Sequence, residues 1–317
     1  MNKKNALLFF VSAAIAVAGL GCSQQSSPVS YEQSAAVGTG SDLVSTDWLY
    51  SNLNKSQYTI IDVRSADEYA AGHIPGSISM PFDVISVWAT SDFSPGGLWV
   101  EVPEISALTT ALGGYGISRK SNVVLVTGLP TVNPYALGSP GRVALTLAYA
   151  GVEKVAVLNG AFEKWAAEGK PVSTQVPAVT AVDFGYSGSG TMFVDINYVK
   201  NKIGNVVLVD ARDKAVYDGE ITEPWAVKAG HIPTAVSLPA ASLWNVTDGT
   251  MKSLYELEMI AGSVVGDGKK QEIIVYCGVG GYMSTVWFTL AKLLGYKNVR
   301  VFDGSAQQWS MMYDMVK

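Results

Sequence analysis

Thr59-Ile60-Ile61-Asp62-Val63-Arg64 recurs 148 residues later as Val207-Leu208-Val209-Asp210-Ala211-Arg212. Each is an apolar run that turns polar at its end, the pattern of a buried strand leaving a sheet. Three more blocks recur in the same order. Ala71-Gly72-His73-Ile74-Pro75 returns as Ala229-Gly230-His231-Ile232-Pro233, at an offset of 158. Val123-Val124-Leu125-Val126-Thr127-Gly128 returns as Ile273-Ile274-Val275-Tyr276-Cys277-Gly278, at 150. Asn159-Gly160-Ala161-Phe162-Glu163-Lys164-Trp165 returns as Asp303-Gly304-Ser305-Ala306-Gln307-Gln308-Trp309, at 144. Near-constant offsets over separated blocks predict two copies of one domain. The apolar runs alternate with helical stretches. Ser65, with Glu68 three residues on, reads as a helix cap, and Arg142–Ala150 reads as a helix. This alternation predicts an α/β fold, each copy a mainly parallel sheet flanked by helices. The copies fall at 43–172 and 190–317, joined by a linker at 173–189 that runs into two Ser-Gly steps.

Composition narrows the function. Lys plus Arg number 22 against 27 Asp plus Glu, a net charge of −5. That balance excludes the basic face of a nucleic-acid binder and a polybasic membrane-surface protein. With 48% hydrophobic and only 15% charged residues, the chain is not a disordered one. It holds two Cys and two His. An all-cysteine zinc site is therefore out of reach, and a mixed site would need all four at a spacing that does not fit. Neither a metal nor an organic cofactor is implied.

The first residues read as a targeting segment. Lys3 and Lys4 precede an apolar or small run from Ala6 to Leu20, too short for a bilayer span of about 20 residues. Small residues then lead to Cys22. The ending resembles a bacterial lipoprotein lipobox, although Gly19 stands where that motif usually has Leu. The resemblance implies cleavage before Cys22, lipidation of Cys22 and a cell-envelope location, with the lipid as the membrane contact. Residues 23–42, rich in Ser, Gln and Gly, read as a tether. The alternative is an ordinary signal peptide with a free thiol at Cys22.

The chemistry concentrates at Cys277. In open α/β sheets, ligands sit beyond the carboxyl ends of the strands. Thr127 and Cys277 both follow a central strand, but only the second copy carries a thiol there. Gly278, Gly280 and Gly281 let the backbone curl, and a helical pattern starts near Ser284. Inward amides and a helix N-terminus would make an anion site that lowers the thiol pKa and suits a thiolate or persulfide. The bland alternative is a buried, inert core cysteine. His73 and His231 recur in both copies although only one has a Cys, so they read as turn locks. Asp62 and Asp210 read as structural for the same reason, and Trp165 and Trp309 as core packing.

These motifs together resemble the tandem-domain rhodanese family of sulfurtransferases. They are Asp62-Val63-Arg64 with Gly72-His73-Ile74-Pro75-Gly76-Ser77, Asp210-Ala211-Arg212 with Gly230-His231-Ile232-Pro233, and the loop Tyr276-Cys277-Gly278-Val279-Gly280-Gly281-Tyr282. Leu43–Leu49 also looks like that family's opening. The resemblance implies an inactive first domain and a catalytic second one. It implies an enzyme in which Cys277 takes sulfur from a small anionic donor such as thiosulfate or mercaptopyruvate. The resulting persulfide passes its sulfur to a thiol or cyanide-like acceptor. Arg212 would bind the donor anion, with Gly278, Val279, Gly280, Gly281 and Tyr282 forming the substrate loop. The other reading of Arg212 is a structural bridge to Asp213, Asp218 or Glu220.

Two departures from the family bear on the donor. Thiosulfate-preferring relatives carry basic residues in the loop after the Cys, and none occurs from Gly278 to Ser284. Mercaptopyruvate-type relatives often read Cys-Gly-Ser-Gly-Val-Thr, where Val279 here removes a hydroxyl and Tyr282 replaces the Thr. Related phosphatases have a longer loop ending in Arg, which is absent. Two rivals follow. One is an accessory lipoprotein that binds sulfur or selenium oxyanions without turnover beside an envelope protein partner. The other is a structural module with a redox-sensing Cys277.

Overall fold

The repeated apolar runs form the central strands of two separate parallel sheets. In the first copy the strands are β1 (Leu43–Val44), β2 (Tyr58–Asp62), β3 (Ile78–Ser79), β4 (Asn122–Val126) and β5 (Lys154–Leu158). They lie in the order β1-β5-β4-β2-β3, every pair parallel. The second copy contributes β6 (Val207–Asp210) and β7 (Val236–Ser237), then an antiparallel pair, β8 (Trp244–Asn245) and β9 (Thr250–Met251), then β10 (Glu272–Tyr276) and β11 (Asn298–Val301). Its sheet runs β11-β10-β6-β7, again all parallel. A bridge from Phe193 to Val301 occupies the place that β1 holds in the first copy. The computed structural model describes residues 42–53, 55–129, 136, 138–185 and 191–317. Residues 1–22, read as a signal segment ending at Cys22, and almost all of the stretch read as a tether lie outside them.

Local sequence explains the helices. Ser65 caps Ala66–Ala71 through a capping box with Glu68, as its spacing predicts. The helix read from Arg142 begins earlier, at Ser139, because Pro140 is tolerated in a first turn. The helix after Cys277 spans Met283–Trp287 and continues as a π-type turn over Phe288–Leu293.

Each copy locks its Gly-His-Ile-Pro turn in the same way. His73 stacks on Tyr69 with centroids 3.7 Å apart, and its Nδ1 lies 2.8 Å from the Tyr69 carbonyl. His231 stacks on Tyr217 at 3.8 Å, with Nδ1 2.9 Å from the Tyr217 carbonyl. Both rings serve turns. The linker is packed rather than free over its described part. Ser173 bridges to His73, Val182 N–H donates to the Gly113 carbonyl at 2.9 Å, and Phe184 is buried.

The copies also share a core. Ile61, Leu125 and Val143 belong to the same buried cluster as Val209, Val275 and Val286. At its seam the helix Ser139–Ala150 meets the helix Met283–Trp287 at Gly141. A Cβ there would stand 2.8 Å from Thr285 N and 3.0 Å from Ser284 O. The helices approach this closely because Gly141 has no side chain.

Candidate active site

Cys277 is the first residue beyond β10, at the carboxyl end of a central strand. Its peptide is pinned on both sides by the turn that follows β11. Cys277 N–H donates to Ser305 Oγ at 3.1 Å, and the Cys277 carbonyl accepts from Ala306 N–H at 3.0 Å. The loop then curls back, and the backbone amides of Met283, Val279 and Gly280 act on the sulfur in the direction that favours its charged form. This is the amide cradle that the glycine-rich spacing predicts. One of its glycines is sterically required, and a second sits hard against side-chain ends. Gly280 sits at φ +86°, and a Cβ there would lie 2.7 Å from Asp303 Oδ1 and 3.0 Å from the Val100 carbonyl. A Cβ on Gly278 would lie 2.5 Å from Trp225 Nε1 and 2.6 Å from Glu223 Oε2. Gly281 has open space around it. Val279, Gly281 and Tyr282 are half-buried around the thiol.

The electrostatics overturn one expectation. The thiol is 1% exposed, and burial pushes its pKa up rather than down. The Met283 amide opposes this, the charge of Glu223 adds to it, and the Val279 and Gly280 amides oppose it again. Desolvation wins because the uncharged thiol is cheaper to bury than the thiolate. Glu223 is itself pushed up by burial, against the pull of Arg212 and the Trp225 indole.

Arg212 stands elsewhere than the resemblance implies. Its Nε donates to Asp210 Oδ1 at 2.9 Å, and its Nη2 donates to Asp210 Oδ2 at 2.5 Å and to the Gly230 carbonyl at 2.8 Å. Arg64 repeats this geometry on Asp62 and the Gly72 carbonyl, at 3.0, 2.6 and 2.8 Å. The copy without a cysteine needs no donor-binding arginine, so the shared geometry is a fold lock. The remaining nitrogen, Nη1, faces Glu223 Oε2 at 3.6 Å. No fork is left open for an oxyanion in this arrangement. The bridge is to Asp210 and Glu223, not to Asp213, Asp218 or Glu220.

Several neighbours of the site were not singled out from the sequence. Trp225 donates to Glu223 at 3.1 Å and lies 6.2 Å from the ring of Trp99, which belongs to the first copy. The signal for Glu223 and Trp225 was present in the offsets. The rise from 148 to 158 marks ten extra residues between Arg212 and His231. That insertion carries both side chains. Trp99, Arg142 and Asp303 have no such mark, because their proximity to the loop arises only when the copies pack.

A model of the rhodanese-like domain matches residues 45–168 and again 195–312. The chain belongs to the rhodanese-like family. This tandem rhodanese is 32% identical over 288 residues to the sulfur carrier protein TtuD of Thermus thermophilus, covering 84% of this chain and 93% of that one. It is 31% identical to a Haloferax volcanii protein provisionally named a thiosulfate sulfurtransferase, over 84% and 92% of the two chains. Among solved structures it resembles SseA of Escherichia coli, described with the mechanism of 3-mercaptopyruvate sulfotransferases. There the TM-score is 0.69 at 26% identity, covering 84% of this rhodanese and 98% of SseA. It also resembles the anaerobic ergothioneine biosynthesis enzyme of Chlorobium limicola, with a TM-score of 0.71 at 26% identity over 87% and 71% of the chains.

Proposed function

We propose that this chain is a sulfurtransferase that carries sulfane sulfur as a persulfide on Cys277. One observation carries the reading. Amides converge on a cysteine at the strand end of one copy, while the matching strand end of the other copy holds Thr127. Such a cradle stabilises negative sulfur without a side-chain cation.

In the first half-reaction the Cys277 thiolate attacks the outer sulfur of the donor, forming an S–S bond. The donor's own bond to that sulfur breaks and its electron pair leaves with sulfite or, after protonation at carbon, with pyruvate. In the second half a thiol or cyanide acceptor attacks the outer sulfur, and the Cys277 thiolate leaves. The site weighs against a doubly charged donor. Glu223 stands beside the loop, and no Lys or Arg occurs from Gly278 to Ser284. The loop favours a mercaptopyruvate-like donor over thiosulfate. The test is mass spectrometry after exposure to mercaptopyruvate, with a gain of about 32 Da mapped to Cys277 as one step of sulfur oxidation chemistry. Wild type that gains no mass, or Cys277→Ser that turns over equally, ends the reading.

A carrier without efficient turnover is the second reading. The buried, protonation-prone thiol favours it, as does the kinship with a protein named a sulfur carrier. Persulfide formation followed by slow release to cyanide would select it. We also propose that Cys22 is lipidated and holds the protein in the cell envelope. Labelled palmitate that remains on the Cys22→Ala variant refutes this.

A further inference from the structure

We propose that Arg142, on the copy that has no cysteine, is a positioning residue for sulfur transfer at Cys277. It does so by fixing the Gly280 peptide, so that the cradle amides keep facing the sulfur. The inference rests on the persulfide reading above. Arg142 is fully buried, and its Nη1 donates to the Gly280 carbonyl at 3.1 Å. The same nitrogen donates to Asp303 Oδ1 at 2.5 Å, and Nη2 donates to Asp303 Oδ2 at 3.1 Å. Ser284 Oγ donates to the same Gly280 carbonyl at 3.2 Å. With that carbonyl held, the left-handed turn at Gly280 is fixed, and the Gly280 amide on its other side is aimed at Cys277.

Arg142 also holds the far side of the site. Asp303 Oδ2 accepts from Val102 N–H at 2.6 Å, and Gln307 Oε1 accepts from Trp99 N–H at 3.0 Å. These bonds bind a strap of the first copy, residues 97–102, to the turn whose Ser305 holds the Cys277 amide. The arrangement is costly. Val100 sits at φ +59°, in the left-handed region that a β-branched residue rarely enters. Among the described residues, Arg142 Nε and Glu101 Oε1 are buried without a hydrogen-bond partner. Strain and orphaned polar atoms of this kind persist where the surroundings over-determine them, and they cluster at functional sites. Here they fall on the strap and on Arg142, the groups that hold or border the Gly280 turn. This gives the degenerate copy a task that its missing thiol does not touch.

The test compares the full chain with Arg142→Lys and Arg142→Met, at a temperature where each remains folded by circular dichroism. Lysine keeps the charge but has no fork to hold Gly280 and Asp303 together. The expected result for both variants is a kcat lower by about 10–100-fold, the scale of a misplaced catalytic loop, with donor KM within about twofold. Thiolate absorbance should titrate at higher pH than in wild type. A purely structural role would lower Tm and move neither kcat nor the thiolate titration. Folded Arg142→Lys with wild-type kcat and titration overturns the proposal. If Arg142→Lys does not fold, Asp303→Asn supplies the same readouts under the same criterion. Wild type that forms no persulfide overturns the sulfurtransferase reading instead, so the two failures are distinguishable.

Discussion

At the scale of single residues, the site is governed by a contest over one thiol. Met283, Val279 and Gly280 offer amide hydrogens, while burial and the Glu223 charge act against the thiolate. Glu223 is the lever to test because its charge acts against the thiolate while it is not one of the amides that favour it. Glu223→Gln should lower the Cys277 pKa and speed alkylation by iodoacetamide above neutral pH, by up to about tenfold if the change reaches one pKa unit. It should also improve mercaptopyruvate transfer, since a negative neighbour of the entering anion is gone. Alkylation rates measured from pH 6 to 10 decide this, and coincident curves for the two proteins would remove Glu223 from the account. The sequence pointed to the cysteine and its glycines through chemistry that is local in the chain. It did not reveal Glu223, whose position over Gly278 depends on how the inserted segment folds back.

At the scale of elements, the helix Ser139–Ala150 and the helix that opens at Met283 form one joint. Gly141 is the contact point, since a Cβ there would enter backbone atoms of Ser284 and Thr285. Alanine is ordinarily the better helix former by about 1 kcal/mol. Here the clash is with backbone, which cannot swing aside, so overpacking of about 1–3 kcal/mol outweighs propensity. Gly141→Ala should therefore lower Tm and slow sulfur transfer, because Ser284 follows directly on the amide donor Met283. A melting temperature equal to or above wild type would show that the helices separate freely. The strands, caps and turn locks were legible in the sequence because each is set by residues within one element. The Asp62–Arg64 and Asp210–Arg212 pairs show the limit of that reading. Repetition marked the aspartates as structural, but the arginine was read through family likeness, and only the matching geometry of Arg64 reveals the lock.

At the scale of the whole molecule, the copies are joined by a buried charge cluster as well as by a common core. Glu101 of the first copy faces Asp303 of the second, with Arg142 between their influences. Burial, then the Asp303 charge, raises its pKa to about 8 despite the pull of Arg142. An unfolded glutamate titrates near its ordinary value of 4.5. Between these values the folded state binds more protons than the unfolded one, so stability falls as pH rises through this window. The contribution is fully present below the unfolded value and is lost by the time pH passes 8. Discounted for the partial exposure of the side chain, the loss is on the order of 2 kcal/mol. Glu101→Gln is neutral at every pH and should follow wild type closely at pH 5. It should then melt higher at pH 9 by several degrees, at about 2–4 °C per kcal/mol for a chain of this size. Calorimetry at both pH values tests it. Parallel melting curves across the range would mean that Glu101 is ionised in the folded protein at neutral pH, held by Arg142 in place of part of the Asp303 contact.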